Sequence, residues 1–214
     1  MKVLFILNGY KDYSFPQTFF NNYDKIICVD GGYNSYSELN VGKEPDYVIG
    51  DFDSIKDKSI LKTKFKEEQI IYKDNQDETD SQFAIKSILI LYPNQIKEIH
   101  FIFFTSQDRI DHLLCNILLM KQIPTNIKVK LITKGEEMYL LTKRLEINGM
   151  EGKTLSVIPI TNVKNIRSEG LKWPYEGIDI NFGFIGGISN IIESDKAILE
   201  VDEGECVIVL EKNN

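Results

Sequence analysis

The residues of this 214-residue chain best placed to do chemistry are aspartates in four short motifs. They read Val29-Asp30-Gly31-Gly32-Tyr33-Asn34, Ile49-Gly50-Asp51-Phe52-Asp53-Ser54, Gln76-Asp77-Glu78-Thr79-Asp80-Ser81-Gln82 and Arg109-Ile110-Asp111-His112. Carboxylates crowded together repel one another unless a cation neutralises them. Hard oxygen donors suit Mg²⁺, which keeps waters and phosphate oxygens in its shell. In an extended segment residues two apart face the same way, so Asp51 and Asp53 are expected to aim at one point. A solvated acidic turn fits the same pair equally well. Asp30-Gly31-Gly32 is either a tight strand-to-helix turn or a place where backbone amides approach an anion. Thr79 with Gln82 fits a capping box, which sets Asp80 in a first helical turn where the helix dipole favours a carboxylate. Arg109 offers a planar fork for a phosphate. Asp111 joins the metal set or binds a nucleotide hydroxyl. His112 is a proton carrier or, with more weight, a polar residue packed at a helix start. The chemistry implied is metal-assisted handling of a nucleotide.

Such motifs need strands and helices to hold them. Expected strands are Val3–Leu7, Lys25–Val29, Tyr47–Ile49, Gln69–Tyr72, Glu98–Phe104 and Lys128–Thr133. Helical spacing falls between them, at Phe83, Ile88 and Leu91 and again at Ile110, Leu113, Leu114, Ile117 and Leu118. Alternating strands and helices imply βα units, a mostly parallel sheet and a ligand site past the carboxyl ends of its strands. After about Lys134 the helical period disappears. Met138–Leu141, Leu145–Ile147, Thr154–Ile160, Ala197–Val201 and Cys206–Leu210 are strand-like and glycines punctuate the rest, so residues 135–214 are expected to form an all-β domain. The last two of these segments look like a closing hairpin that turns near Glu203-Gly204. Gly170-Leu171-Lys172-Trp173-Pro174 and Gly187-Ile188-Ser189-Asn190 form a further cluster. Trp173, the single tryptophan, is either a core residue between sheets or a face for stacking on a planar or cationic ligand. Ser189 and Asn190 also fit simple turn roles.

Composition narrows the partners. A net charge of −7 argues against nucleic acid and anionic membranes, which need a basic footprint. It permits an anionic nucleotide when a cation lies between. Cys28, Cys115 and Cys206 sit in apolar runs, far apart in sequence, and read as buried thiols in a reducing compartment. The short apolar start is interrupted at Asn8-Gly9 and reads as a first strand; a signal peptide or membrane span is not expected. The cytoplasm is the expected location.

In their order, Asp-Gly-Gly, Gly-Asp-Phe-Asp-Ser, Asp-x-Thr-Asp, Arg-x-Asp-His, Gly-Leu-Lys-Trp and Ser-Asn, from Asp30 to about Asn190, the motifs resemble the thiamine pyrophosphokinase (thiamine diphosphokinase) family. The resemblance implies an α/β fold: a Rossmann-like three-layer nucleotide-binding catalytic domain over 1–134, and a β-sandwich over 135–214 for thiamine binding and dimerisation. It implies a homodimer that takes ATP and thiamine and, with Mg²⁺, passes diphosphate to the thiamine hydroxyl, leaving AMP. Asp51, Asp53 and Asp80 are then the metal and diphosphate set, with Asp111 as a further catalytic aspartate. Asp30, Gly31, Gly32, Asn34, Arg109, Asp111 and His112 belong to the nucleotide site. Gln76, Asp80, Trp173, Ser189 and Asn190 lie near thiamine. One stretch departs from the family: Phe104–Arg109 has no glycine where a glycine-rich loop is usual, which leaves nucleotide preference open. The rival functions are another Mg²⁺-dependent phosphohydrolase or nucleotidyltransferase, and a non-catalytic thiamine or nucleotide sensor.

Overall fold

The computed structural model describes residues 1–9, 15–39, 41–102 and 110–212. The chain divides into two compact units, Met1–Lys134 and Gly135–Asn214.

The first unit alternates strands and helices: β1 (Lys2–Ile6), α1 (Gln17–Phe20), β2 (Lys25–Val29), α2 (Gly32–Glu38), β3 (Tyr47–Gly50), α3 (Ser59–Lys64), β4 (Ile70–Tyr72), α4 (Asp80–Leu91), β5 (Glu98–Ile102), α5 (Ile110–Leu118) and β6 (Lys128–Ile132). Its strands lie in the order β4-β3-β2-β1-β5-β6, and every pairing among them is parallel. Inner strands of such a sheet are covered on both faces and read as unbroken apolar runs. Val3 to Ile6 and Ile26 to Val29 are all buried. Leu4, Ile6, Cys28 and Val48 share a core with Tyr33 and Tyr36 of α2, Leu61 of α3, and Phe52 and Phe65. α4 instead packs on β2 and β3, through a stripe of Ala84, Ile85 and Ile88.

The second unit contains, among the described residues, strands and no helix: β7 (Glu136–Leu141), β8 (Arg144–Asn148), β9 (Thr154–Pro159), β10 (Val163–Glu169), β11 (Glu176–Ile180), β12 (Asn190–Ile191), β13 (Lys196–Glu200) and β14 (Cys206–Glu211). Two antiparallel sets result, β12-β9-β14-β7 and β11-β10-β13-β8. Their inward residues form one buried cluster, Leu141, Leu155, Val157 and Ile208 from the first set with Ile147, Ile166, Ala197 and Leu199 from the second.

Two expectations are corrected here. β13 and β14 are not a hairpin: β13 pairs with β8 and β10, and β14 pairs with β7 and β9. The intervening chain crosses from one set to the other at Gly204 (φ +90), where an added Cβ would lie 2.2 Å from the Asn162 carbonyl oxygen. The cysteines are also not uniformly buried. Cys28 and Cys206 are, but Cys115 is exposed, because α5 buries none of its side chains. No described helix is long and apolar enough to cross a membrane.

Candidate functional site

β2, β3 and β4 are parallel neighbours, so the residues just after them emerge side by side at one edge of the sheet. Those residues are Asp30, Asp51 and Lys73. Close packing fixes the first two. Asp30 has a left-handed backbone (φ 44) and donates its N–H to the Ile49 carbonyl at 2.8 Å. Gly50 (φ +151) passes so near it that a Cβ there would lie 2.9 Å from the Asp30 Cβ.

Asp51 and Asp53 are not brought together by strand alternation, as the spacing suggested. β3 ends at Gly50, and Phe52 adopts φ 62, strained for a bulky residue. Burial of the Phe52 ring in the core holds that conformation. The resulting turn lets the Asp53 N–H donate to Asp51 Oδ1 at 3.1 Å, and Ser54 Oγ donate to Asp53 Oδ1 at 2.8 Å. One carboxylate oxygen each from Asp30, Asp51 and Asp53 then lies within 4.8 Å of the others. Asp30 is only 5% exposed, and its buried Oδ1 has no hydrogen-bond partner among the described residues. A buried, unpaired carboxylate oxygen on a residue clustered with two further carboxylates is costly without a cation. These oxygen donors therefore fit a hard divalent cation.

Asp80 stands beside this trio. Thr79 caps α4: its Oγ1 accepts the Gln82 N–H at 3.2 Å, and Gln82 Oε1 accepts the Thr79 N–H at 2.9 Å. Asp80 thereby occupies the first helical position. Its Oδ1 accepts the Asp51 N–H at 3.3 Å and lies 3.5 Å from Lys73 Nζ. Partial burial, then the neighbouring Asp51, pushes its carboxyl above the usual carboxylate range, against the pull of Lys73. Lys73 is a site residue that the sequence reading missed. A lysine following a three-residue strand forms no sequence pattern, and its burial is visible only in the fold. Gln76 is exposed on the loop between Lys73 and Asp80.

The other predicted residues divide. Gly32 is explained by packing against the β1 backbone, and Gly31 lies against the Asn8 side chain. A Cβ on Gly32 would lie 2.1 Å from the Ile6 carbonyl oxygen, and one on Gly31 would lie 2.5 Å from the Asn8 amide. Asn34 braces the acidic turn. Its Nδ2 donates to the Ser54 carbonyl at 2.8 Å, and its Oδ1 accepts the Lys56 N–H at 3.2 Å. Asp111 and His112 are exposed in the first turn of α5. Arg109 and the glycine-free stretch 104–108 lie outside the described residues.

In the second unit Trp173 is 56% exposed, so it is not a core residue. Lys172 Nζ sits 5.0 Å from its ring centroid. Asn190 is buried and clamps the Trp173 backbone. Its Oδ1 accepts the Trp173 N–H at 3.1 Å, and its Nδ2 donates to the Trp173 carbonyl at 2.7 Å. Asn190 Oδ1 also accepts the Ile191 N–H at 2.8 Å. Ser189 (φ 58) donates its N–H to Ser156 Oγ at 3.0 Å, which leaves its own side chain exposed.

Comparison with known proteins identifies the family and the fold. Residues 16–131, more than half the chain, match the family described as thiamin pyrophosphokinase, catalytic domain. Residues 138–206 match thiamin pyrophosphokinase, vitamin B1 binding domain. The thiamine pyrophosphokinase of Bacillus subtilis (strain 168) is 29% identical over 188 residues, which covers 86% of this chain and 85% of that protein. Among solved structures, thiamine pyrophosphokinase from Bacillus subtilis superposes with a TM-score of 0.81 at 23% identity, all of both chains covered. Thiamin pyrophosphokinase from Candida albicans does so with a TM-score of 0.82 at 21% identity, over 99% of this chain and 89% of that one. The structural likenesses establish the mixed α/β fold with its antiparallel second sheet, and the sequence match over both units places this chain in the thiamin pyrophosphokinase family.

Proposed function

We propose that this chain transfers the terminal diphosphate of ATP to the hydroxyethyl oxygen of thiamine. The thiamine oxygen bonds to the β-phosphorus, the bond from that phosphorus to the α–β bridging oxygen breaks, and AMP leaves. The hydroxyl proton passes to a base and then to water. The observations that carry the reading are the convergence of Asp30, Asp51 and Asp53 and, among the described residues, the lack of a partner for the buried Asp30 Oδ1. Diphosphate transfer is mainly a matter of positioning and charge neutralisation. Mg²⁺, when held by Asp51 and Asp53 with Asp30 or Asp80, neutralises phosphate charge. Asp80 is assigned the thiamine hydroxyl, to orient it and accept its proton. Its raised affinity for protons suits that work. Asp111, Arg109 and His112 are assigned to the nucleotide, together with the Asp30-Gly31-Gly32 turn and Asn34. Gln76, Trp173 and Ser189 are assigned to thiamine, with Asn190 behind Trp173.

We read residues 1–134 as a three-layer, Rossmann-like catalytic domain and 135–214 as a β-sandwich for thiamine binding and dimerisation. Helices on a parallel sheet support the first, and the core shared by two antiparallel sets supports the second. A homodimer is supported by Phe182, Ile185 and Ile188, large apolar side chains left exposed close together in sequence. Free thiols at all three cysteines are in keeping with the cytoplasm.

Incubation of the purified protein with ATP, Mg²⁺ and thiamine should give AMP and thiamine diphosphate in equal amounts. Release of phosphate or pyrophosphate that does not depend on thiamine would instead identify a phosphohydrolase.

A further inference from the structure

We propose that Lys73 is a positioning residue for the transfer, locking the loop that carries Gln76 to the helix start that carries Asp80. The inference rests on the diphosphate-transfer reading above. Lysine is almost never fully buried unless paired, yet Lys73 is only 3% exposed. Its ammonium has two acceptors, the Asn75 carbonyl at 2.9 Å and Asp80 Oδ1 at 3.5 Å. Its own N–H donates to the Gly50 carbonyl at 2.9 Å, immediately before Asp51. One residue thus joins three segments: the end of β3 that leads into the acidic turn, the loop at Asn75, and the first turn of α4.

Burial keeps the ammonium from reaching a phosphate in solvent, so Lys73 acts through its neighbours. Without it, Asp80 would stand beside Asp51 without the one cation that the described residues place next to it, and the Asn75 carbonyl would lose its donor. The loop between them would then sample other arrangements, which displaces Gln76 and Asp80 relative to each other. Misplacement of about 1 Å is enough to slow a reaction by about 10²-fold. Lys73 bonds to Gly50, Asn75 and Asp80 and not to Asp30, Gly31, Gly32 or Asn34, so the ATP KM should change less than the thiamine KM.

The test is steady-state kinetics of the full chain with ATP, Mg²⁺ and thiamine. Lys73→Met keeps the aliphatic stem. It should lower kcat by about 10²-fold and raise the thiamine KM several-fold, with the ATP KM within about twofold of wild type. Lys73→Arg keeps the charge and should recover part of kcat. Lys64→Met removes a lysine on α3 that pairs with Glu44 at 3.3 Å, away from this loop, and should leave all three constants unchanged. If Lys73→Met folds poorly, Lys73→Gln, which can still donate to one acceptor, gives the same comparison. An active wild type with Lys73→Met unchanged in kcat and thiamine KM overturns the assignment. So does a loss explained wholly by the fraction of folded protein, with Lys73→Arg no better than Lys73→Met. A wild type that forms no thiamine diphosphate overturns the diphosphate-transfer reading as well.

Discussion

The two units hold their functional side chains in opposite ways. In the first, carboxylates are pressed together within the fold. Asp30 and Phe52 take left-handed backbones, Gly50 is required by its close approach to Asp30, and a buried oxygen is left unpaired. In the second, an aromatic ring stands in solvent and the polar side chain behind it has its hydrogen bonds made. A site that must bind a cation stores repulsion and strain until the cation arrives. A site that must offer a flat face needs only a rigid mount. The first arrangement therefore reduces the stability of the free protein, and the second does not.

The sharpest way to break that contrast is Asp51→Asn. The amide keeps an oxygen to accept the Asp53 N–H, so the turn survives while one charge is lost. We expect kcat to fall by about 10³-fold, the scale seen when a group stabilising developing charge is removed. In thermal melts without metal the variant should unfold at a higher temperature than wild type, since a repulsion has been relieved. On the proposed reading, Mg²⁺ should stabilise wild type and fail to stabilise the variant. A metal-free variant that melts lower than wild type would show that the trio is not under electrostatic strain.

The same contrast explains what could be read in the sequence. Aspartates after strands were legible because parallel sheets deliver their ligand residues at carboxyl ends, and the α4 cap was legible because Thr79 and Gln82 carry a local signal. The reason Asp51 and Asp53 converge was not legible. It depends on the Phe52 ring finding a core, which is a tertiary event. Lys73 was hidden for the same reason. β10 and β11 escaped because Val163–Glu169 is largely polar and Glu176–Ile180 buries only Ile180. The closing hairpin failed because strand alternation specifies a face and not a partner.

A second expected effect follows from where the histidines lie. Both, His100 and His112, belong to the first unit. His100 is buried, with Nδ1 2.9 Å from the Tyr23 hydroxyl. Burial, and then Lys130 and Lys2, depress its pKa from 6.5 to about 3. Glu98, 3.7 Å from Nε2 and itself partly exposed, does not offset this. Below pH 6.5 the unfolded chain therefore takes up a proton that the folded chain refuses. Stability is fully present above the unfolded value and is lost as pH falls toward 3. Between pH 6.5 and 5 the loss is about 1.6 kcal/mol, as the slope rises toward about 1.36 kcal/mol per pH unit. Urea unfolding at the two pH values should show that difference in wild type and a smaller one in His100→Asn. Equal pH dependence in both proteins would remove His100 as the cause.

The smallest effect probes the rigid mount itself. Trp173→Ala should raise the thiamine KM about tenfold, the loss of a stacking or cation–π contact, with kcat nearly unchanged. Asn190→Ala keeps the ring but removes the two hydrogen bonds that hold the Trp173 backbone, and should raise the same KM in the same direction. The double variant decides how Asn190 acts. If it serves only to hold Trp173, its loss changes nothing once the ring is gone, and the two effects fail to add by nearly the whole of the Asn190 contribution. Full additivity would mean that Asn190 meets thiamine itself and that its bonds to Trp173 open on binding. Because Trp173 is the single tryptophan, its fluorescence gives a direct check. Asn190→Ala should alter the emission of the free protein before any ligand is added, as a ring released from its clamp changes its surroundings.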